Sequence, residues 1–248
     1  MSWGASAWPG TRTGGPGQDG SVLTVPIVAL EEASFAYPNQ SGQALCQVEF
    51  ALGPGDKIGV IGDNGSGKTS LLLALVGLRP LAAGRLIHGG REVRKPGQYH
   101  ALRRDVGLVF QNCDDQLFSP TVIEDVAFGP LNVGLSLDKA LAIARETLDV
   151  LHIGHLEGCL THTLSGGQKR IVSLATALAM KPKALLLDEP TNDLDRKTRA
   201  MVQEFLLHSD LALVLVSHDH SLVRAVTTSV VCMEGGRVLS SQPTMAAL

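Results

Sequence analysis

Lys57-Ile58-Gly59-Val60-Ile61 runs straight into Gly62-Asp63-Asn64-Gly65-Ser66-Gly67-Lys68-Thr69, and the chain continues as Ser70-Leu-Leu-Leu-Ala-Leu-Val-Gly-Leu78 before Arg79-Pro80. The apolar pentapeptide reads as a strand, the glycine-rich octapeptide as a turn, and the run after it as a helix packed on a sheet and stopped by the proline. The octapeptide fits the phosphate-binding pattern G-x-x-x-x-G-K-[ST], in the strand-to-helix setting its mechanism needs. Glycines let the backbone wrap closely, so that N–H groups and the helix N-terminus face the phosphates. Lys68 then reaches the β and γ oxygens, and the Thr69 hydroxyl is available to Mg²⁺. A glycine-rich turn that binds nothing is the competing reading of such a pattern standing alone, and it is the motifs downstream that argue against it.

Outward from this stretch, further strand patterns fall at residues 27–30, 45–50, 106–110, 184–187, 211–217 and 229–233, with helical patterns at 139–151, 171–180 and 196–207. Continuous apolar strands alternating with helices predict a parallel sheet covered on both faces, hence an α/β fold with helices flanking a parallel-rich sheet. Residues 112–163 break the rhythm with helical patterns and no convincing strand, which predicts a helical subdomain inserted into one domain spanning 25–240. Hydrophobic residues make up 44% of the 248, but aromatics only 4%, so the core must be built from Leu, Val, Ile and Ala.

Composition also excludes. A formal charge of −3 supplies no long-range field for nucleic acid or an anionic bilayer. The four cysteines, Cys46, Cys113, Cys159 and Cys232, lie far apart, so neither a disulfide framework nor a zinc site is expected, and a reducing cytoplasm fits. The eight histidines are scattered as well. The longest apolar runs fall far short of the ~20 residues a membrane helix requires, and residues 1–24, rich in Gly, Pro and Ser, read as a flexible tail without signal-peptide character.

Two later motifs bear on chemistry. Ala184-Leu-Leu-Leu-Asp188-Glu189 is an apolar strand ending in adjacent carboxylates, where open α/β sheets bind ligands. Downstream of a phosphate loop, Asp188 is placed to hold Mg²⁺ and Glu189 to orient and deprotonate an attacking water. Leu164-Ser165-Gly166-Gly167-Gln168-Lys169-Arg170 opens a helix whose apolar positions Ile171, Leu174, Ala175 and Leu178 share one face. Ser165 and Gln168 form a capping-box pair, giving a positive helix end suited to a phosphate. An ordinary cap explains that pair but assigns no role to Gly166 and Gly167.

LSGGQ between a phosphate loop and LLLDEP resembles the ATP-binding cassette family over residues 27–239, with the signature at 164–170. The resemblance implies ATP and Mg²⁺ as ligands and assigns roles by position. Tyr37 in SFAYPN corresponds to an aromatic that stacks on adenine, Gln111 in LVFQN to the glutamine linking Mg²⁺ to the helical insert, and His218 in LVLVSHD to a histidine at the γ-phosphate. Asn192-Asp193-Leu194-Asp195 resembles a loop that communicates across a dimer. The family further implies a composite site, with residues 62–70 of one subunit and Ser165, Gly166, Gly167 and Gln168 of another enclosing one ATP. The partner is then an identical or a related ATPase.

Residues 106–130, VGLVFQNCDDQLFSPTVIEDVAFGP, together with LSGGQKR, resemble the ATPases of energy-coupling-factor and cobalt or nickel importers. This implies an importer for a transition metal ion or a vitamin, integral membrane subunits on other chains, a peripheral position at the cytoplasmic face, and no nucleic-acid partner. Asp114, Asp115, Gln116, Leu117 and Phe118 are expected near the groove that receives a membrane subunit's helix, with exposed Leu117 and Phe118 as an apolar patch. The sequence departs from the branch at Cys113, where proline is usual, and at Asn192-Asp193, where small residues are usual. The competing readings are a soluble cassette ATPase acting on ribosomes or nucleic acid, and a nucleotide switch that binds without hydrolysis. Neither a second cassette nor a sustained heptad insertion supports the former, and Glu189, Gln111 and His218 speak against the latter.

Overall fold

The computed structural model describes residues 25–38 and 42–244, so the reading of 1–24 as a tail lies outside the described residues. In chain order the elements are β1 (Val28–Phe35), β2 (Leu45–Leu52), β3 (Lys57–Ile61), α1 (Lys68–Leu75), β4 (Ala83–His88), β5 (Arg91–Glu92), α2 (Pro96–Asp105) and β6 (Val106–Val109). They continue as α3 (Val122–Asn132), α4 (Leu137–Val150), α5 (Gly166–Leu178), β7 (Ala184–Asp188), α6 (Arg196–His208), β8 (Ala212–Val216), α7 (His220–Val226), β9 (Ser229–Glu234) and β10 (Arg237–Pro243).

Two sheets organise these elements. The larger has the order β10-β9-β3-β8-β7-β6, parallel throughout except for the β10–β9 edge pair. The α/β reading with a parallel-rich sheet therefore holds. A second sheet, order β2-β1-β4-β5, is wholly antiparallel and was not anticipated. Its β4 shows only one buried residue, Leu86, so no alternation marks it as a strand in the sequence.

The central strands β7 and β8 are buried on both faces, and alternation sorts their side chains into two cores. Leu185 and Leu187 of β7 and Leu213 and Leu215 of β8 join α5, α6 and α7 in one cluster. Ala184, Leu186, Ala212, Val214 and Val216 point the other way, toward α1 and the antiparallel sheet. Helix α4 presents Ala140, Ala144, Thr147 and Leu148, one stripe at helical spacing, to α3 and α5. Helix α5 is buried nearly all round, Arg170 and Ser173 included, rather than along the single face that its apolar spacing suggested. Between β6 and β7 the only β-pairing among the described residues is the isolated bridge Thr121–Leu160.

Parallel register sets the functional end. Val60 pairs with Val216, Asp188 with Val216, and Ile61 with Cys232. The C-terminal ends of β3, β7 and β8 thus lie side by side, and the turns leaving them open on one place.

Candidate active site

Those turns frame a cleft of about 420 Å³ lined by Lys68, Thr69 and Ser70 from the first turn of α1, Asn64, Gly65 and Gly67 from the loop before it, and Gln111, Asp188, Glu189 and His218. Tyr37 and the segment Gly42-Gln43-Ala44 close one side. The sequence reading missed these last three and Val216, because a short connection that lends mainly backbone carries no motif.

The loop geometry explains its glycines. At Gly62, with φ 148°, a Cβ would stand 2.2 Å from the Met233 carbonyl oxygen, a backbone atom that cannot yield. Lys68 is buried and its Nζ donates to the carbonyls of Gly62 (2.7 Å) and Asp63 (2.9 Å). That fixes the loop and engages two of the ammonium's three donors. Gly62, Asp63 and Ser66 therefore support the cleft without lining it, and Ser66 Oγ is buried with no hydrogen-bond partner.

The two carboxylates have different environments. Asp188, at the end of an entirely buried strand, accepts from Thr69 Oγ1 at 2.7 Å. Burial raises its pKa above the ordinary 3.8, opposed by the Thr69 hydrogen bond and then by the positive charges of Lys68, Arg170 and His218. Glu189, 3% exposed, adopts φ 51°, the left-handed region in which a non-glycine residue is strained. It is held there by its N–H donating to Val216 O (2.9 Å), by the His218 N–H donating to Oε1 (2.9 Å) and by Ser217 Oγ donating to Oε2 (3.2 Å). His218 leaves its ring half exposed, with Nε2 3.8 Å from Glu189 Oε1.

Tyr37 hydrogen-bonds Ser70 Oγ through its hydroxyl (3.2 Å), meets Phe35 edge-on, and has the Arg79 guanidinium 5.3 Å from its ring centroid. Ser165, Gly166, Gly167 and Gln168 are not among the residues that line the cleft. The capping box there is formed in both directions, Gln168 N–H to Ser165 Oγ (3.3 Å) and Ser165 N–H to Gln168 Oε1 (2.9 Å). A Cβ on Gly167 would lie 3.1 Å from Asp193 O, so this glycine lets the helix end approach the 192–195 loop. Within that loop Asp195 caps α6, accepting from the Thr198 hydroxyl (2.6 Å) and from the N–H groups of Thr198 and Lys197, bonds that hold its carboxyl below the usual aspartate range.

A second, mostly apolar groove of about 280 Å³ runs between α2, β6, α3 and α5, lined among others by Leu78, Phe110, Gln116, Phe118, Phe128 and Met180. Phe118 is 65% exposed and stacks edge-on against Phe128. Leu117, expected beside it as exposed, is instead partly buried against the core.

No helix among the described residues is long and apolar enough to cross a membrane. Nor does any cluster of three or more His, Cys, Asp and Glu there form a metal cage. Mg²⁺ asks for less, since one or two protein oxygens plus substrate phosphates satisfy it. The hard oxygens of Thr69, Asp188 and Gln111, grouped on one cleft, fit that requirement.

A family model described as ABC transporter matches residues 45–192. The chain is 43% identical over 229 residues to the cobalt import ATP-binding protein CbiO of Rhodobacter capsulatus, covering 90% of this chain and 81% of that one. Other relatives of comparable identity are described only as ATP-binding proteins of ABC transporters. Among solved structures, cbiO1 of Clostridium perfringens, part of the transporter complex cbiONQ, superposes with TM-score 0.77 at 30% identity over 90% of both chains. The dimeric cassette MJ0796 in a post-hydrolysis state with ADP and Pi superposes with TM-score 0.80 at 25% identity, over 88% of this chain and 98% of that one. The chain belongs to the ABC transporter family and is an ATP-binding, ATP-hydrolysing subunit of a transporter.

Proposed function

We propose that this subunit drives import, of a transition metal ion such as cobalt or nickel or of a vitamin, through integral membrane subunits on other chains, from a peripheral position at the cytoplasmic face. The observation that carries the catalytic part is the convergence of Lys68, Thr69, Gln111, Asp188, Glu189 and His218 on one cleft. Residues 25–240 act as one ATPase domain, with the helical subdomain at about 112–163 and the signature at 164–170.

The phosphates of ATP lie along residues 62–70, with Lys68 on the β and γ oxygens and Tyr37 against the adenine. Thr69, Asp188 and Gln111 hold Mg²⁺, which neutralises charge on the phosphates. Glu189 takes the proton of the attacking water; two hydrogen bonds aim its carboxylate, a third fixes its backbone, and burial keeps bulk water away. His218, beside Glu189, contacts the γ-phosphate. Because Ser165–Gln168 do not line the cleft of their own chain, they are free to close on the ATP of a second cassette, identical or related. ATP binding then favours the closed dimer and hydrolysis releases it.

The importer reading is supported by the likeness to the Rhodobacter capsulatus cobalt import protein and to cbiO1. The Phe118–Phe128 groove has the size, apolar lining and exposure suited to a helix of a membrane subunit. The test is affinity isolation of the chain from gently solubilised membranes, mass spectrometry of its companions, and ATP-driven uptake of labelled cobalt, nickel and vitamins by the reconstituted complex. Recovery of a multispanning partner with substrate accumulation inside supports import. Outward movement of the substrate, or recovery of ribosomes or nucleic acid with no membrane partner, refutes it.

A further inference from the structure

Arg170 lies in the second turn of the buried helix α5 and is 7% exposed, yet among the described residues no carboxylate forms an ion pair with it. Its charge acts on Asp188 only through space, without a salt bridge, so burying a cation here is costly where leucine would pack well. Its Nη1 donates to Gln111 O at 2.7 Å and to Phe110 O at 3.3 Å, while Nε is buried without an acceptor. All of its hydrogen bonding goes to the backbone that carries Gln111 into the cleft.

The same short segment is tied to α5 twice more. Gln116 accepts from the Phe110 N–H (3.2 Å) and donates to Ser173 O and Thr176 Oγ1, each at 2.7 Å. Lys169 pairs with Asp114 at 2.6 Å, on the surface. The exposed pair adds little. The other bonds tie residues 110–116 to α5, and α5 begins at the Ser165–Gln168 turn.

We propose that Arg170 is a positioning residue for hydrolysis: by holding the Gln111 carbonyl it fixes the direction of the Gln111 side chain toward Mg²⁺, and it locks that position to the helix whose first turn meets the second cassette's ATP. This rests on the proposed roles of Gln111 and of Ser165–Gln168. A purely structural arginine would support fold stability alone, whereas this one sets the metal dependence of nucleotide binding. Gln111 itself is exposed in the cleft, and among the described residues its side chain makes no hydrogen bond.

The test uses the full-length chain carrying Glu189→Gln to suppress turnover, with a fluorescent ATP analogue titrated in EDTA and then with increasing Mg²⁺. Arg170→Gln is expected to raise the Mg²⁺ concentration for half-maximal effect by about tenfold or more, as loss of a group supporting a metal ligand does. Metal-free affinity should change by less than about twofold, since the phosphate loop is untouched. Gln111→Ala should give a similar shift, and the two changes together no more than one alone, because they act through one contact. Arg170→Lys keeps the charge but loses the planar fork, so about a threefold shift is expected. It serves as the readable variant if Arg170→Gln does not fold.

An unchanged Mg²⁺ response in whichever folded variant is measured, or full additivity with Gln111→Ala, overturns the proposal. Failure of the underlying reading looks different: Mg²⁺ would then leave ATP binding unaltered in the parent protein itself, and Arg170's role would fall with it.

Discussion

Replacing Glu189 with glutamine isolates the proton transfer, because the environment is built to tolerate the change. The amide oxygen keeps the acceptor for the His218 N–H at 2.9 Å, and the Ser217 hydroxyl, 3.2 Å from Oε2, turns from donor to acceptor for the new NH₂. The residue is 3% exposed, and the substitution keeps its size and shape. Stability should therefore change by less than about 1 kcal/mol. Losing a general base lowers the rate by about 10²–10⁴-fold. At ~1.4 kcal/mol per tenfold, that corresponds to about 3–5 kcal/mol in the barrier. The assay is phosphate release at saturating Mg²⁺ and ATP, beside thermal melts and size-exclusion chromatography with and without ATP. The variant should melt like the parent, bind ATP and accumulate a dimer that the parent only visits. A folded variant whose turnover stays within about threefold of the parent would refute the assignment of Glu189 as base.

Three further outcomes follow from the same geometry. Gly62→Ala puts a methyl 2.2 Å from the Met233 carbonyl at φ 148°, so the loop must shift; nucleotide affinity should fall at least tenfold and the melting temperature should drop, by ~2 kcal/mol of stability, both read by calorimetry. Asp188, whose folded pKa is raised by burial, binds its proton more tightly folded than unfolded, so its contribution favours folding at low pH and is lost as pH rises from about 3.8 through the folded value. Asp188→Asn should accordingly gain stability relative to the parent on going from pH 4 to pH 7 without nucleotide, while losing hydrolysis; a constant difference in melting temperature across that range would contradict the burial argument. Phe118→Ser, at a side chain 65% exposed, should cost less than about 1 kcal/mol of stability and leave ATP binding intact, yet reduce recovery of membrane subunits in co-isolation.

The locally encoded parts were readable from residues alone. Strand β3 matches its predicted 57–61 range, and β7 and α6 depart from theirs by a single residue, because continuous apolar runs and sharp punctuation by glycine, proline and aspartate act over a few positions. Of the antiparallel sheet β1 and β2 were legible, but β4 escaped, as did β10 at the edge of the parallel sheet, for the opposite reason. In β4 three of six positions face solvent, and β10 is mostly polar, so their strand state comes from hydrogen bonds to distant partners rather than from any pattern of their own.

Within the site the same division holds. The order of motifs supplied the candidate residues, and chemistry at fixed spacing supplied Lys68, Thr69, Asp188 and Glu189. That residues as far apart as Lys68 and His218 share one cleft is a product of parallel register, which sets the ends of β3, β7 and β8 level, while Tyr37 reaches it from the end of β1 in the antiparallel sheet. Only the tertiary structure could show that Glu189 is buried in a strained conformation, that Leu117 is packed rather than exposed, and that Gly167 lets α5 reach Asp193. Arg170 is the clearest case: the sequence presents it as one basic residue at the end of a signature, and its meaning lies in which carbonyls, 59 and 60 residues away, the folded chain brings to its guanidinium. Sequence determines chemistry over the range of a turn, whereas burial and long-range partners exist only once the chain has closed on itself.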